Sequence, residues 1–279
     1  MPSARQEVAV AEAGGKVYVI GGFGEGYEPT GIVEVYDPAT DRWESRPPLP
    51  LAVHHPAAVG LNGRIYVMGG FTGRLSQTAQ DSTFEYDPAT NAWRRRAAMP
   101  TARGALAAAA LDGRIHALGG AAEWALNTHE VYDPAADRWS HGRRMPTARD
   151  HLAAVAVAGK VYAIGGRTSF FGTKYASVEI YDPAGDRWQT GTPLPNARGG
   201  LAASALQGRL YVFGGELPFR IFNAVEMYDP ATDRWSAKAP MPTARHGMGA
   251  VAVGSRIYVP GGGVRPGPGR SNVLEAFQP

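Results

Sequence analysis

Five arginines stand at one recurring position of this chain, Arg5, Arg103, Arg149, Arg198 and Arg245, and Val53 takes the same place once. Directly behind them follow Glu7, His54, His55, Asp150, His151 and His246. Neutral imidazoles and carboxylates hold zinc or iron when they converge. Guanidinium forks hold carboxylates in two-pronged pairs. One glutamate recurs at the same spacing throughout, Glu34, Glu85, Glu130, Glu179, Glu226 and Glu275, so ion pairs inside each repeat are the plain reading of these arginines. A third set, Glu25, Glu28, Glu123 and Glu216, sits in irregular segments. These could serve as general acid or base, with Arg167 or Arg220 holding a substrate carboxylate.

The elements that position these groups are repeats. A Gly-Gly doublet behind an apolar run occurs at Gly21, Gly69, Gly119, Gly165, Gly214 and Gly261, at intervals of 48, 50, 46, 49 and 47 residues. Each doublet is followed by a Tyr-Asp-Pro or its relative, and five of them by a Trp: Trp43, Trp93, Trp139, Trp188 and Trp235. A fixed period of this length means one supersecondary unit per repeat. Each unit reads as four strands. Turn pairs such as Asn62-Gly63 and Asp112-Gly113 suit a tight hairpin between the first two. The third strand ends where Pro breaks the ladder, and the fourth carries the Trp. First strands are small (Gly104 to Leu111 is mostly Ala) while third and fourth strands carry Tyr and Trp. Blades around an axis need that gradient, crowded inside and splayed outside.

The doublet, the later Tyr and the Trp at this spacing resemble the Kelch-repeat family over essentially the whole chain. The resemblance implies an all-β, six-bladed β-propeller of four-stranded antiparallel blades, one unit over 1–279 with repeats near 1–48, 49–98, 99–144, 145–193, 194–240 and 241–279. The last repeat stops at Pro279, where its ten-residue outer block would begin, so a three-stranded sixth blade is expected. The strand near Asn272 to Phe277 would then offer a free edge through which copies could associate. Kelch propellers include protein-interaction modules, sugar oxidases and sugar epimerases, so the fold alone does not choose among them. In interaction modules of this kind, arginines near the channel mouth contact acidic peptides, which gives Arg5, Arg103, Arg149, Arg198 and Arg245 a second possible role. The oxidase branch depends on a Cys–Tyr crosslink, and this chain has no Cys. Distances across a six-bladed ring are expected to exceed metal-ligand reach, so the histidine set is read as holding no metal, and no cofactor is expected.

The variable segments follow the doublets and gather on one face, where loops on a rigid scaffold carry function. They supply Phe23, Tyr27, Phe71, Trp124, Phe170, Phe171, Tyr175 and Phe219, with Arg167, Glu216 and Arg220 among them. Aromatics mixed with arginine have the composition of interaction hot spots. Trp124 stands out, because no other loop has its counterpart. The expected function is therefore a binding module for a protein or peptide, and not an enzyme. The alternatives are an epimerase- or mutarotase-like enzyme acting on a small sugar or acid, and an engineered or trimmed scaffold with no evolved ligand. A net charge of +3 over 279 residues is too weak for a nucleic-acid partner. The sequence shows no apolar run of membrane-spanning length and no signal peptide, so a soluble, cytoplasmic protein is the default expectation.

Overall fold

The computed structural model describes residues 1–74 and 78–279, so part of the variable segment 71–82 lies outside the described residues. In the first blade, Ala9–Ala13, Lys16–Ile20, Val33–Asp37 and Arg42–Arg46 pair in chain order, each antiparallel to the next. Four further blades repeat this order, and the sixth has three strands, Val251–Val253, Arg256–Pro260 and Leu274–Phe277. The protein is an all-β, six-bladed propeller whose last blade is three-stranded, as the repeats predict. Among the described residues no helix is long and apolar enough to cross a membrane.

Local chemistry explains the blade. Asn62 and Gly63 have φ of 53° and 74°, and Asp112 and Gly113 have 50° and 75°, the mirror-image turn that matches strand twist. The innermost strands alternate buried and half-buried residues, their small side chains lining the channel. Each outer Trp packs on the Tyr opposite it, with ring centres 5.0–5.2 Å apart. Trp93 and Trp139 also donate their indole N–H, at 2.9 Å, to the Pro47 and Ala97 carbonyls of the preceding blade.

The doublets join neighbouring blades. The second glycine donates its N–H to the carbonyl at the arginine position of the next blade, as in Gly70 to Arg103 (3.0 Å) and Gly166 to Arg198 (2.9 Å). A Cβ at Gly69 would lie 2.4 Å from the Arg103 carbonyl oxygen, which is why a side chain is excluded there. The same contact closes the circle, from Gly262 to the Arg5 carbonyl at 2.9 Å. Closure therefore comes from direct contact of the first and sixth blades, reinforced by Arg5 N–H to the Ser271 carbonyl.

A second closed circle lies nearer the axis. It runs through the residue two past each arginine position: Glu7, His55, Ala105, His151, Gly200 and Gly247. Each N–H donates to the carbonyl of the preceding member, and Glu7 to Gly247 completes the ring at 2.6 Å. All six have positive φ, between 49° and 65°. Glycine adopts this region freely, whereas other residues are uncommon there.

The five arginines do not reach the channel mouth. All have fully buried side chains, paired within their own blades: Arg5 with Glu34 (3.0 Å), Arg149 with Glu179 (2.8 Å), Arg245 with Glu275 (2.6 Å), Arg103 with Glu130 and Arg198 with Glu226. They also donate to carbonyls at the doublet, as Arg5 does to Gly21 at 2.8 Å and Arg245 to Gly261 at 2.7 Å. The expectation that they meet an acidic peptide is corrected: full burial and in-blade pairing keep all five out of the mouth's lining. Where Val53 replaces the arginine, Glu85 is held instead by Arg64 and by Arg96 (2.6 Å).

Candidate functional site

The axis opens on the loop face into a cavity of about 600 Å³. Three tiers build it. The lowest is the ring of positive-φ residues, of which Glu7, His55 and His151 carry polar side chains. Above it lies the residue directly behind each arginine position, including Asp150 and His246. Each of these forms an antiparallel bridge to the residue after a doublet: Gln6 to Phe23, His54 to Phe71, Asp150 to Arg167 and His246 to Gly263. The rim is made by loop residues, among them Tyr27, Arg74, Trp124 and Phe170.

The floor is a circuit of ionisable groups. Glu7 Oε2 lies 3.2 Å from His55 Nε2, and Glu7 Oε1 lies 3.5 Å from His246 Nδ1. His246 Nδ1 also stands 3.5 Å from Glu216 Oε1, which accepts from Arg167 Nη1 at 2.7 Å. Arg167 Nε is 3.6 Å from Asp150 Oδ1, and Asp150 in turn accepts from His151 Nδ1 at 2.5 Å. Gly247 makes room for this arrangement, since a Cβ there would meet Glu7 Oε1 at 2.4 Å.

Burial alone would raise the Glu7 pKa, but His55, His246 and His151 reverse that and hold it well below the ordinary carboxylate value. For His246 burial opposes the charge, and Glu7, helped by Glu216, outweighs it, so its pKa is raised. Burial lowers His55 far below its ordinary value, with Glu7 offsetting part of the effect. His54 is pushed down to about 4, again chiefly by burial. The floor thus gathers imidazoles and carboxylates within one pocket.

The chain's relatives carry the same repeat. The Kelch motif model matches residues 4–50 and 52–100, and the KLHDC2/KLHL20/DRC7 Kelch-repeats domain model matches residues 140–263. Kelch-like protein 35 of Mus musculus is 39% identical over 75 residues, covering 27% of this chain and 13% of that protein. The F-box/kelch-repeat protein At1g67480 of Arabidopsis thaliana is 43% identical over 67 residues, 24% of this chain and 18% of that one. This chain belongs to the Kelch-repeat family. Its matches to these curated relatives span no more than 18% of their length. The solved structure titled "Structure of YjhT" superposes with a TM-score of 0.84 at 16% identity, over 98% of this chain and 95% of that one, which shows the shared fold.

Within this Kelch propeller, Phe23, Tyr27, Phe71, Trp124, Arg167, Phe170 and Glu216 line the mouth cavity. Phe171, Tyr175, Phe219 and Arg220 lie outside its lining. Phe171 and Phe219 project from the outer rim, 6.5 Å apart between ring centres, and Arg220 stacks on Phe222 at 4.6 Å. Tyr175 is half-buried, with its backbone tying Gly166 to Arg198. Phe23 and Phe71 are buried anchors rather than exposed contacts, Phe23 stacking on His54 at 3.9 Å. Of the loop glutamates, Glu123 and Glu216 line the cavity, while Glu25 and Glu28 do not.

The expectation that ring distances exceed metal-ligand reach fails for Glu7, His55 and His151. Their ligand atoms lie within 4.8 Å of one another, because positive φ turns these side chains toward the axis. The segment from Gly263 to Asn272, the variable segment behind the sixth doublet, contributes to the wall through its backbone. Gly267 N–H donates to Glu216 Oε2 at 3.0 Å, and the Arg265 and Gly267 carbonyls accept from His246 Nε2 at 3.0 Å.

Proposed function

We propose that the loop face of this Kelch propeller binds a protein or peptide partner that sets aromatic contacts on the rim and inserts a polar group into the mouth. The observation that carries this reading is the exposure of three large aromatics on that face: Trp124 at 80%, Phe171 at 76% and Phe219 at 90%. Such groups left in water around a cavity mark an interaction surface. The floor beneath them supplies paired donors and acceptors that would orient an inserted side chain. The Kelch-like names of the relatives are in keeping with such a role.

The floor itself favours a second reading, a small neutral sugar as ligand or substrate. Carboxylates and imidazoles beside Phe23, Tyr27 and Phe71 suit hydroxyl groups and an apolar sugar face, and a cavity of about 600 Å³ is of small-ligand size. An acidic ligand fits less well, because Arg167 is already engaged by Glu216 and Asp150.

The test compares capture by the wild type and by Trp124→Ala/Phe171→Ala/Phe219→Ala, three exposed positions whose loss leaves the core intact. A protein captured by the wild type is then purified and titrated against both. Binding weakened at least tenfold in the variant supports the interaction face. Equal binding by both, or saturable sugar binding with no protein partner, turns the assignment to the second reading.

A further inference from the structure

We propose that Glu7, His55 and His151 form a binding site for one divalent transition cation of the zinc type, on the propeller axis at the floor of the mouth cavity. The first ground is convergence. Each residue offers a ligand atom, and the three atoms lie within 4.8 Å of one another. Bonds of about 2.0–2.1 Å place tetrahedral ligands about 3.3 Å apart. Glu7 Oε2 and His55 Nε2 already stand at 3.2 Å, close to that spacing.

The second ground is the hydrogen-bond chain behind each imidazole. The Gly73 carbonyl can only accept, so His54 Nε2, 3.1 Å away, is the donor. Of the two tautomer arrangements open to the 2.5 Å contact between His54 Nδ1 and His55 Nδ1, the one compatible with a ligating His55 has His55 Nδ1 donating. That leaves the lone pair of His55 Nε2 facing the carboxylate oxygen of Glu7. Two acceptors at that distance repel unless a cation lies between them. His151 is set in the same way: Asp150 Oδ1 accepts from its Nδ1 at 2.5 Å, and Nε2 is left free. A carboxylate or carbonyl relay behind a ligating histidine is the usual outer support of a metal site.

The third ground is the backbone. The ring position suits glycine, and Gly200 and Gly247 supply it in two blades. Glu7, His55 and His151 hold φ of 54°, 54° and 49° there, and a strained backbone concentrates at functional sites. Two imidazoles and one carboxylate select zinc-like ions over magnesium or calcium, which take oxygen ligands. The cavity above leaves the remaining coordination positions open to a ligand.

The competing occupant of the Glu7–His55 gap is a proton, and zinc titration separates the two. After exhaustive chelation, Zn²⁺ is titrated by calorimetry and retained metal is counted by mass spectrometry, with Mg²⁺ as the control ion. The expected result is about one Zn²⁺ per chain, with affinity lowered at least tenfold in His55→Ala and in His151→Ala. Ala105 occupies an equivalent ring position at φ 51°, so alanine is compatible with the backbone. His141→Ala, at an exposed histidine, is expected to bind as the wild type does. No stoichiometric zinc in the wild type, or unchanged affinity in both ring variants, overturns the site. Should both variants fail to fold, the Co²⁺ visible spectrum of the wild type decides. A four- or five-coordinate band supports the site, and an aqua-ion spectrum overturns it.

Discussion

The third blade joins two buried histidines of its second and third strands, at positions where no other blade has a histidine, and exchanging them for the repeat's own residues should reduce the acid sensitivity of the fold. His116 stands where the other blades have Tyr18, Tyr66, Tyr162, Tyr211 and Tyr258, and His129 where three of them have Val33, Val178 and Val225. The Arg143 carbonyl accepts from His129 Nδ1 at 3.1 Å, so His129 Nε2 accepts from His116 Nδ1 at 2.9 Å. Both rings are neutral in that arrangement. Burial pushes each from 6.5 down to about 4, with His129 adding to the effect on His116 and the Arg143 carbonyl opposing it on His129. A folded-state pKa below the unfolded one means that the unfolded chain takes up protons first. Stability is therefore full above about pH 6.5 and falls as pH drops toward 4. Between about pH 7.5 and about pH 4.5 one such histidine removes about 2.5 kcal/mol, and the coupled pair at least that. His116→Tyr/His129→Val restores the combination used by the other blades. Denaturant unfolding at both pH values, read by Trp fluorescence, should show the wild type losing about 2.5 kcal/mol more than the variant. Equal losses would refute the neutral-pair assignment, since the other titrating groups are common to both proteins.

Two further outcomes follow from the blades. Arg103→Ala leaves Glu130 buried without its partner and should cost about 3–5 kcal/mol in urea unfolding. In the second blade the same role falls to half-buried arginines, so Arg96→Ala should cost clearly more than Arg94→Ala, although both lie on one outer strand. The outer edge of Leu274–Phe277 has no strand partner among the described residues. We propose that it associates with a second copy, giving a concentration-dependent dimer by sedimentation velocity that the edge charge of Ala276→Lys abolishes. A monomer at every concentration contradicts it.

The fold was legible because its determinants recur. Six doublets, five outer tryptophans and the turn pairs each report a backbone requirement, and repetition makes the requirement visible without knowledge of any contact. The missing outer strand of the sixth blade was legible for the same reason, as an interrupted period. The arginine–glutamate ladder was half legible. Its one-per-repeat spacing pointed to internal pairs, but the depth of burial was not in the pattern. The mouth was least legible. Trp124 was visible as an irregular loop residue, whereas the Gly263–Asn272 wall works through its backbone, and glycine and proline carry no side-chain signal for that.

The same contrast explains where chemistry sits in this protein. A six-fold scaffold left to itself offers six copies of one group, which suits no asymmetric ligand. Function has to come from slots that depart from the repeat. Around the inner ring Ala105, Gly200 and Gly247 stay small, and Glu7, His55 and His151 do not. The glycines are part of the same arrangement, since Gly247 vacates the space that the Glu7 carboxylate crosses. One tier higher, Asp150 and His246 replace Gly104 and Gly199; Arg167 bridges to Asp150, and Glu216, bridged to Gly199, brings its carboxylate within 3.5 Å of His246. Each departure is compatible with the backbone because the ring hydrogen bonds involve main-chain atoms only. The symmetric layer holds the propeller closed, and the side chains above it are free to differ. A substitution at one ring slot should therefore alter the site far more than the fold.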